Sequence, residues 1–226
     1  MRYVLPSVAI LSAAIGLALI ISPLMVNEPE VVKIYAYWDN EEMGMGTGFI
    51  CGDKMVMTAA HVLNIGNNFR VEYADGETEW ITGGAVSFFD IGILPVSRKG
   101  SVNWDLHYEA GDTVYTKGFP YNNPVLWTSK GIISSLEFKA LPFWMSVIGV
   151  DADAAPGNSG GPLVNEKGQV VGMVVGGNGN IVLCVPASRL KEFADTYREI
   201  CTEIENEKDI STSNDQEARQ ALVGNN

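Results

Sequence analysis

Histidine is the scarcest reactive residue in this chain: His61 and His107 are the only two among 226 residues. Any chemistry that needs an imidazole base must use one of them. Cysteine is almost as rare. Cys51, Cys184 and Cys201 are too few for a disulfide scaffold. Cys51 and Cys184 lie in apolar segments and read as buried thiols, although one bridged pair in an oxidising compartment stays open. Positive charge is also short, with 15 Lys and Arg against 27 Asp and Glu, a net −12. Such a chain repels phosphate backbones and anionic lipid, so no nucleic acid partner is expected. His, Cys, Asp and Glu do not gather at metal-ligand spacing, and no glycine loop leads into a phosphate-binding Lys. No metal and no cofactor are expected.

What the chain does have begins with an apolar run. Val4 to Val26 contains no charged side chain and is interrupted only by Pro6 and Pro23. A bilayer-spanning helix needs about 20 such residues. A signal-peptide core needs only about 7–15, and Ile21-Ser22-Pro23-Leu24 is a poor cleavage site. Residues 1–27 are therefore expected to form one uncleaved transmembrane anchor, with secretion after signal cleavage as the alternative. Arg2 and the terminal amine precede the run, and Asn27, Glu28 and Glu30 follow it. Positive charge tends to stay in the cytoplasm, which leaves the rest of the chain extracytoplasmic.

From Val31 to Val185 short apolar segments alternate with Gly, Asn, Asp and Pro. Strands are expected at Val31–Tyr37, Gly46–Ile50, Val56–Thr58, Phe69–Tyr73, Ile91–Val96, Val114–Lys117 and Val125–Ser134. Phe143–Ile148, Pro162–Val164, Val170–Val175 and Ile181–Val185 complete the series. This spacing predicts an all-β barrel or sandwich. After Pro186, Leu190, Phe193, Ala194, Tyr197, Ile200, Cys201 and Ile204 recur at helical spacing. From Glu205 the chain is polar and is expected to be a disordered tail.

The chemistry concentrates in Ala155-Pro156-Gly157-Asn158-Ser159-Gly160-Gly161-Pro162-Leu163-Val164. Glycines let a turn aim its N–H groups into one small space, where they can hold a developing negative charge. Ser159 at the edge of that space is the candidate nucleophile. His61 in Thr58-Ala59-Ala60-His61 is the candidate base, flanked by small residues. An imidazole in this role needs an acid to fix its tautomer. Asp90, in Phe88-Phe89-Asp90-Ile91-Gly92-Ile93-Leu94, is an acid inside an apolar run, where a lone carboxylate needs a partner. Asp75 and Asp105 are the alternatives, each in a polar, turn-like context. His107 reads as a surface-loop residue.

These three blocks, in the order His, Asp, Ser, resemble the catalytic blocks of chymotrypsin-fold serine proteases, and more closely the HtrA/Deg branch. Gly46-Thr47-Gly48-Phe49-Ile50, Ala110-Gly111-Asp112-Thr113-Val114, Gly118-Phe119-Pro120, Thr128-Ser129-Lys130-Gly131-Ile132-Ile133-Ser134 and Val182-Leu183-Cys184-Val185-Pro186-Ala187 fit that branch too. The resemblance covers about Gly44 to Phe193. It implies two six-stranded barrels over residues 28–193, with the catalytic groups between them and the terminal helix on the second barrel. Residues 194–226 would hold the end of that helix and the tail, with no peptide-binding PDZ domain.

The resemblance further implies a serine endopeptidase that works through an acyl-enzyme on unfolded or dedicated protein substrates, in some relatives as a homotrimer. Gly157 and Ser159 N–H groups would form the oxyanion hole, with Asn158 shaping the turn. Val174, Val175, Gly176 and Gly177 would wall the primary pocket. Asp153, six residues before Ser159, would select Lys or Arg if it formed the pocket floor. The HtrA branch instead carries its Asp eight residues before the serine, here Asp151, and prefers small aliphatic side chains. A gated or inactive protease fold acting as a membrane-anchored binding protein is the other reading. An α/β-hydrolase would need Ser before His and strand–helix alternation, and this chain has neither.

Overall fold

The structure is a computed structural model that describes residues 28–140, 145–178 and 181–223. The predicted transmembrane segment, Val4 to Val26, lies outside the described residues.

Two β-systems follow one another. The first contains β1 (Val31–Trp38), β2 (Glu41–Gly52), β3 (Met55–Ala59), β4 (Asn68–Glu72), β5 (Thr78–Thr82), β6 (Ala85–Val86) and β7 (Ile91–Pro95). They form a seven-stranded sheet in the order β5-β4-β1-β2-β3-β7-β6. The second contains β8 (Thr113–Gly118), β9 (Trp127–Ala140), β10 (Met145–Asp151), β11 (Pro162–Asn165), β12 (Val170–Asn178) and β13 (Ile181–Pro186). These close into a barrel in the order β10-β13-β12-β11-β8-β9. The expectation of two six-stranded barrels is thus met in the second half only. In the first half β5 and β6 follow one another through Gly83 and Gly84 but occupy opposite ends of the sheet. β6 is only two residues long and pairs with β7 alone.

Alternation explains why the strands bury as they do. In β4, Phe69 and Val71 face inward while Asn68, Arg70 and Glu72 are half-buried, giving a sheet with one packed face. β5 escaped the sequence reading because only Ile81 of Thr-Glu-Trp-Ile-Thr is buried. Trp80 is exposed and stacks on Tyr37, with ring centroids 4.9 Å apart. One continuous core joins Phe49, Met57, Ile91 and Ile93 of the first sheet to Met173, Val175 and Val185 of the barrel. A second cluster, including Ile133, Ile148 and Leu163, fills the barrel itself.

Helix α1 (Ala60–Leu63) is a single turn at the end of β3, and α2 (Ala187–Val223) closes the chain. α2 buries Leu190 and Ala194 against the joint core, while Phe193 and Tyr197 pack on its edge. It touches β12 and β13 and also β7. Arg189 lies over the Phe89 ring, 4.9 Å from its centroid. The helix is therefore a clasp across both halves rather than a cover for the second barrel alone. It also continues past Glu205, where a disordered tail was expected. Between Ala187 and Val223 there is no Gly or Pro to stop it, and its many Glu, Lys, Ala and Gln residues favour helix. Among the described residues no helix is long and apolar enough to cross a membrane.

Candidate active site

His61 sits in α1, and Asp90 sits one residue before β7. Those two elements are brought together because β3 and β7 pair directly, Ala59 opposite Ile91. Asp90 adopts φ +58, a left-handed conformation that Asp tolerates better than most residues. The turn before it is braced by Phe89 N–H donating to Ser87 Oγ at 3.1 Å. From this position Asp90 binds α1 three times. Its backbone O accepts from Ala60 N–H at 3.0 Å. Its Oδ1 accepts from His61 N–H at 2.8 Å, and its Oδ2 faces His61 Nδ1 at 2.8 Å. The first N–H groups of a helix have no intrahelical acceptor, so Asp90 satisfies them. Facing a carboxylate, Nδ1 carries the imidazole proton, and Nε2 is left with its lone pair. Asp90 is only 8% exposed, whereas the His61 side chain is 47% exposed. One partner is thus anchored in the core and the other is open to solvent.

The alternatives to Asp90 are engaged elsewhere. Asp75 pairs with Arg98 at 2.5 Å, which holds its carboxyl below the usual range. Asp105 Oδ2 accepts from Asn165 Nδ2 at 2.8 Å. His107 is exposed, with its backbone N–H on Asp105 Oδ1 at 3.0 Å.

The Gly157–Gly161 turn leads into β11 and is tied to the first sheet by Thr47 of β2. Thr47 is fully buried. Its N–H donates to Ser159 O at 2.9 Å. Its Oγ1 donates to Gly157 O at 2.7 Å and accepts from Phe119 N–H at 3.1 Å. Thr58 Oγ1 donates to Thr47 O at 2.7 Å. Gly160, at φ +86, comes so close to Thr47 O, Thr58 Oγ1 and Ala59 N that a Cβ has no room there. The turn carrying Ser159 is in this way pressed onto the end of β3, immediately before His61. Among the described residues no hydrogen bond links Ser159 Oγ to His61, a common state for a site without substrate.

The orientation of the turn's N–H groups follows from what its carbonyls bind. Pro156 O accepts from Tyr121 N–H at 2.7 Å, and Asn158 O accepts from Gly161 N–H at 2.9 Å. In a planar trans peptide the N–H points opposite to the C=O. Gly157 N–H and Ser159 N–H therefore point away from those partners, and neither donates to any described residue. Gly157 has φ +103, and a Cβ there would lie 2.5 Å from Phe119 O. Tyr121 itself sits at φ +53, in the turn Pro120–Asn122. Asn158 is buried, and its Oδ1 is the one buried side-chain polar atom without a partner among the described residues.

Ser159 borders a cavity of about 430 Å³ with Ala154, Ala155, Pro156, Val174, Gly176 and Gly177. Three of the four predicted wall residues are thus present. Val175 is not: it is the extra residue where the β12–β13 register slips between Val174 and Gly176, and it points into the core at 3% exposure. Asp153 does not line this cavity. It is exposed, and its backbone is held by Ser129 Oγ at 3.1 Å and Thr116 Oγ1 at 3.1 Å. Its neighbours are a separate hollow with Tyr121 and Trp127 on one side and one with Asp151 and Ile181 on the other. Thr47, Pro156 and Tyr121 were missed as site residues. Gly46-Thr47-Gly48 stood out in the sequence, but the Gly157 carbonyl that the Thr47 hydroxyl binds lies 110 positions away.

The expectation of buried thiols agrees with the structure. Cys51 and Cys184 are buried, Cys201 is partly exposed, and all three are free.

Comparison with known proteins places this architecture. The chain is 28% identical over 198 residues to the serine protease HtrA-like of Staphylococcus haemolyticus, covering 77% of this chain and 30% of that protein. Coverage of the first relatives runs from 27% to 35% of their length, so the chain spans about a third of them. Its fold matches a serine endoprotease from Yersinia pestis with TM-score 0.65 and 24% identity, covering 76% of this chain and 64% of that one. It also matches the inactive form of the Rv3671c protease of Mycobacterium tuberculosis with TM-score 0.64 and 23% identity, covering 85% of this chain and 96% of that one. At these identities the two structures show a shared chymotrypsin-like fold. The trypsin-like peptidase domain matches residues 46–173, more than half of the sequence, and the chain belongs to that family.

Proposed function

We propose that this chain is an HtrA-like serine endopeptidase, anchored by residues 1–27 with its peptidase domain extracytoplasmic. Ser159 Oγ attacks the peptide carbonyl, His61 Nε2 takes its proton, and Asp90 holds the imidazole and stabilises its charged form. The free Gly157 and Ser159 N–H groups receive the oxyanion, shaped by Asn158. His61 then protonates the leaving amine, and water releases the acyl group. The observation that carries this reading is the Asp90 carboxylate, which binds both His61 N–H and His61 Nδ1 at 2.8 Å and so leaves Nε2 as the acceptor.

Small aliphatic side chains are the proposed residues before the cut. The cavity beside Ser159 is walled by Ala154, Ala155, Pro156 and Val174 without a carboxylate. Substrates are unfolded or dedicated proteins, and a homotrimer is the expected assembly. The test uses the whole chain in detergent with unfolded casein and a fluorophosphonate probe, and Ser159→Ala as control. Cleavage and labelling by the wild type alone support the proposal. A folded wild type that neither cleaves nor labels sinks it in favour of a gated or binding-only fold. In the same experiment Asp153→Ala is expected to leave the cut positions unchanged, and a lost preference for Lys or Arg would reverse the aliphatic assignment.

A further inference from the structure

A strip of apolar side chains borders the Ser159 turn from the first sheet, opposite the barrel residues that form the Ala154–Gly177 cavity. β2 carries most of it. Along β1, Ala36 faces Gly44 but Tyr37 faces Glu42, so Met43 is left as the extra residue of a bulge. Bulges re-aim side chains and are frequent beside active sites. Met43 is 53% exposed. Met45 is the next side chain along the strand. Its Sδ lies 3.1 Å from where a Cβ on Gly157 would be. Gly44, between the two methionines, lets Ile65 close onto the strand, since a Cβ there would lie 2.9 Å from Ile65 Cδ1. Ile65 is itself 41% exposed, just beyond α1.

His61, which would protonate the leaving amine, stands at the end of β3 in the first sheet, so a peptide with its acyl half in the barrel cavity carries its leaving half towards that sheet. We infer that Met43, Met45 and Ile65 form a subsite for the one or two residues after the scissile bond, and that it selects apolar side chains. The inference rests on the peptidase reading above. Methionine suits the task, because its unbranched, polarizable side chain adapts to different apolar shapes. A substrate is then chosen on both sides of the cut: small residues before it, larger apolar residues after it. This fits segments that a folded protein keeps in its core.

The test uses the whole chain in detergent and quenched peptides that share one acyl half. They carry Leu and Phe, or Asp and Ser, at the two positions after the cut. The wild type is expected to favour the apolar peptide by about tenfold in kcat/KM. Met43→Glu and Ile65→Glu should each bring that ratio near one, while Val86→Glu, at the far edge of the sheet, keeps it. An active wild type without the preference, or variants that retain it, overturn the subsite alone. A wild type that fails to label with fluorophosphonate overturns the peptidase reading and the subsite with it.

Discussion

The first sheet and the second barrel hold their candidate groups by different means. His61 and Asp90 stand at the ends of paired strands, and every carboxylate oxygen and nearby N–H between them is engaged. Ser159 stands on a glycine turn, with two N–H groups free beside it and a buried Asn158 oxygen unpartnered. One half is complete as it stands, while the other keeps donors unspent, as the proposed oxyanion site requires. That asymmetry suits electrostatic catalysis, since the dipoles must be oriented before the oxyanion forms. It also predicts that substitutions in the two halves fail differently.

The largest effect is expected from the complete half. Asp90→Asn keeps the shape and tolerates the left-handed backbone, but it removes the acceptor that fixes the His61 tautomer. A loss of about 10⁴-fold in kcat is expected by analogy with other such dyads, measured on a peptide substrate. A loss below tenfold would mean that Asp90 serves the fold and not the chemistry. Gly157→Ala comes next. Its Cβ would meet Phe119 O at 2.5 Å in a conformation at φ +103 that alanine resists. The turn must shift, and about 10²–10³-fold in kcat should go with the misplaced N–H. Thermal stability should fall as well, by more than about 1 kcal/mol, because alanine resists this φ and the atom its Cβ meets is backbone.

Thr47→Val is the variant that joins the two halves, and its effect should be mixed. It leaves Gly157 O and Phe119 N–H without their buried partner. A loss of about 2 kcal/mol in stability is expected, read as a fall in melting temperature, together with roughly tenfold in kcat. If activity falls without any loss of stability, the turn is softer than its contacts suggest. If stability falls alone, Tyr121 N–H on Pro156 O is sufficient to orient Gly157.

The same contrast decides what could be read from the sequence. The blocks around His61, Asp90 and Ser159 stood out as an ordered set, His then Asp then Ser, since any one of them alone is a weak signal. Asp90, an acid within Phe88-Phe89-Asp90-Ile91-Gly92-Ile93, was less clear than Ser159 and His61, because Asp75 and Asp105 stayed open beside it. Most strands were legible through apolar runs, but β5 and β6 were not, because an edge strand buries one residue in two or fewer. Tyr121 stayed hidden because it acts through its backbone N–H, and Thr47 because its hydroxyl binds groups far along the chain, which leaves no local pattern. Val175 and Asp153 lie away from the cavity beside Ser159 for a related reason. Spacing from Ser159 fixes a position along the chain, whereas a strand slip or a backbone bond to Ser129 decides which way the residue faces.

The smallest effect tests whether the openness of the second half extends beyond its turn. Cys51 belongs to the first sheet and Cys184 to the barrel. Burial pushes the Cys51 thiol up to about 12 and raises that of Cys184 as well. Cys201, on α2, is partly exposed. Iodoacetamide at mildly alkaline pH is therefore expected to modify Cys201 first, and Cys51 and Cys184 at least about tenfold more slowly, since only the thiolate reacts and neither can ionise in place. Both buried thiols must wait for local opening, so their rates report how often each core opens. Equal protection of Cys51 and Cys184, read by mass spectrometry over time, would confine the adjustable element to the 154–161 turn. Faster modification of Cys184 would mean that the barrel itself breathes, and that the orientation of the Gly157 and Ser159 N–H groups depends on barrel packing as much as on Thr47 and Tyr121.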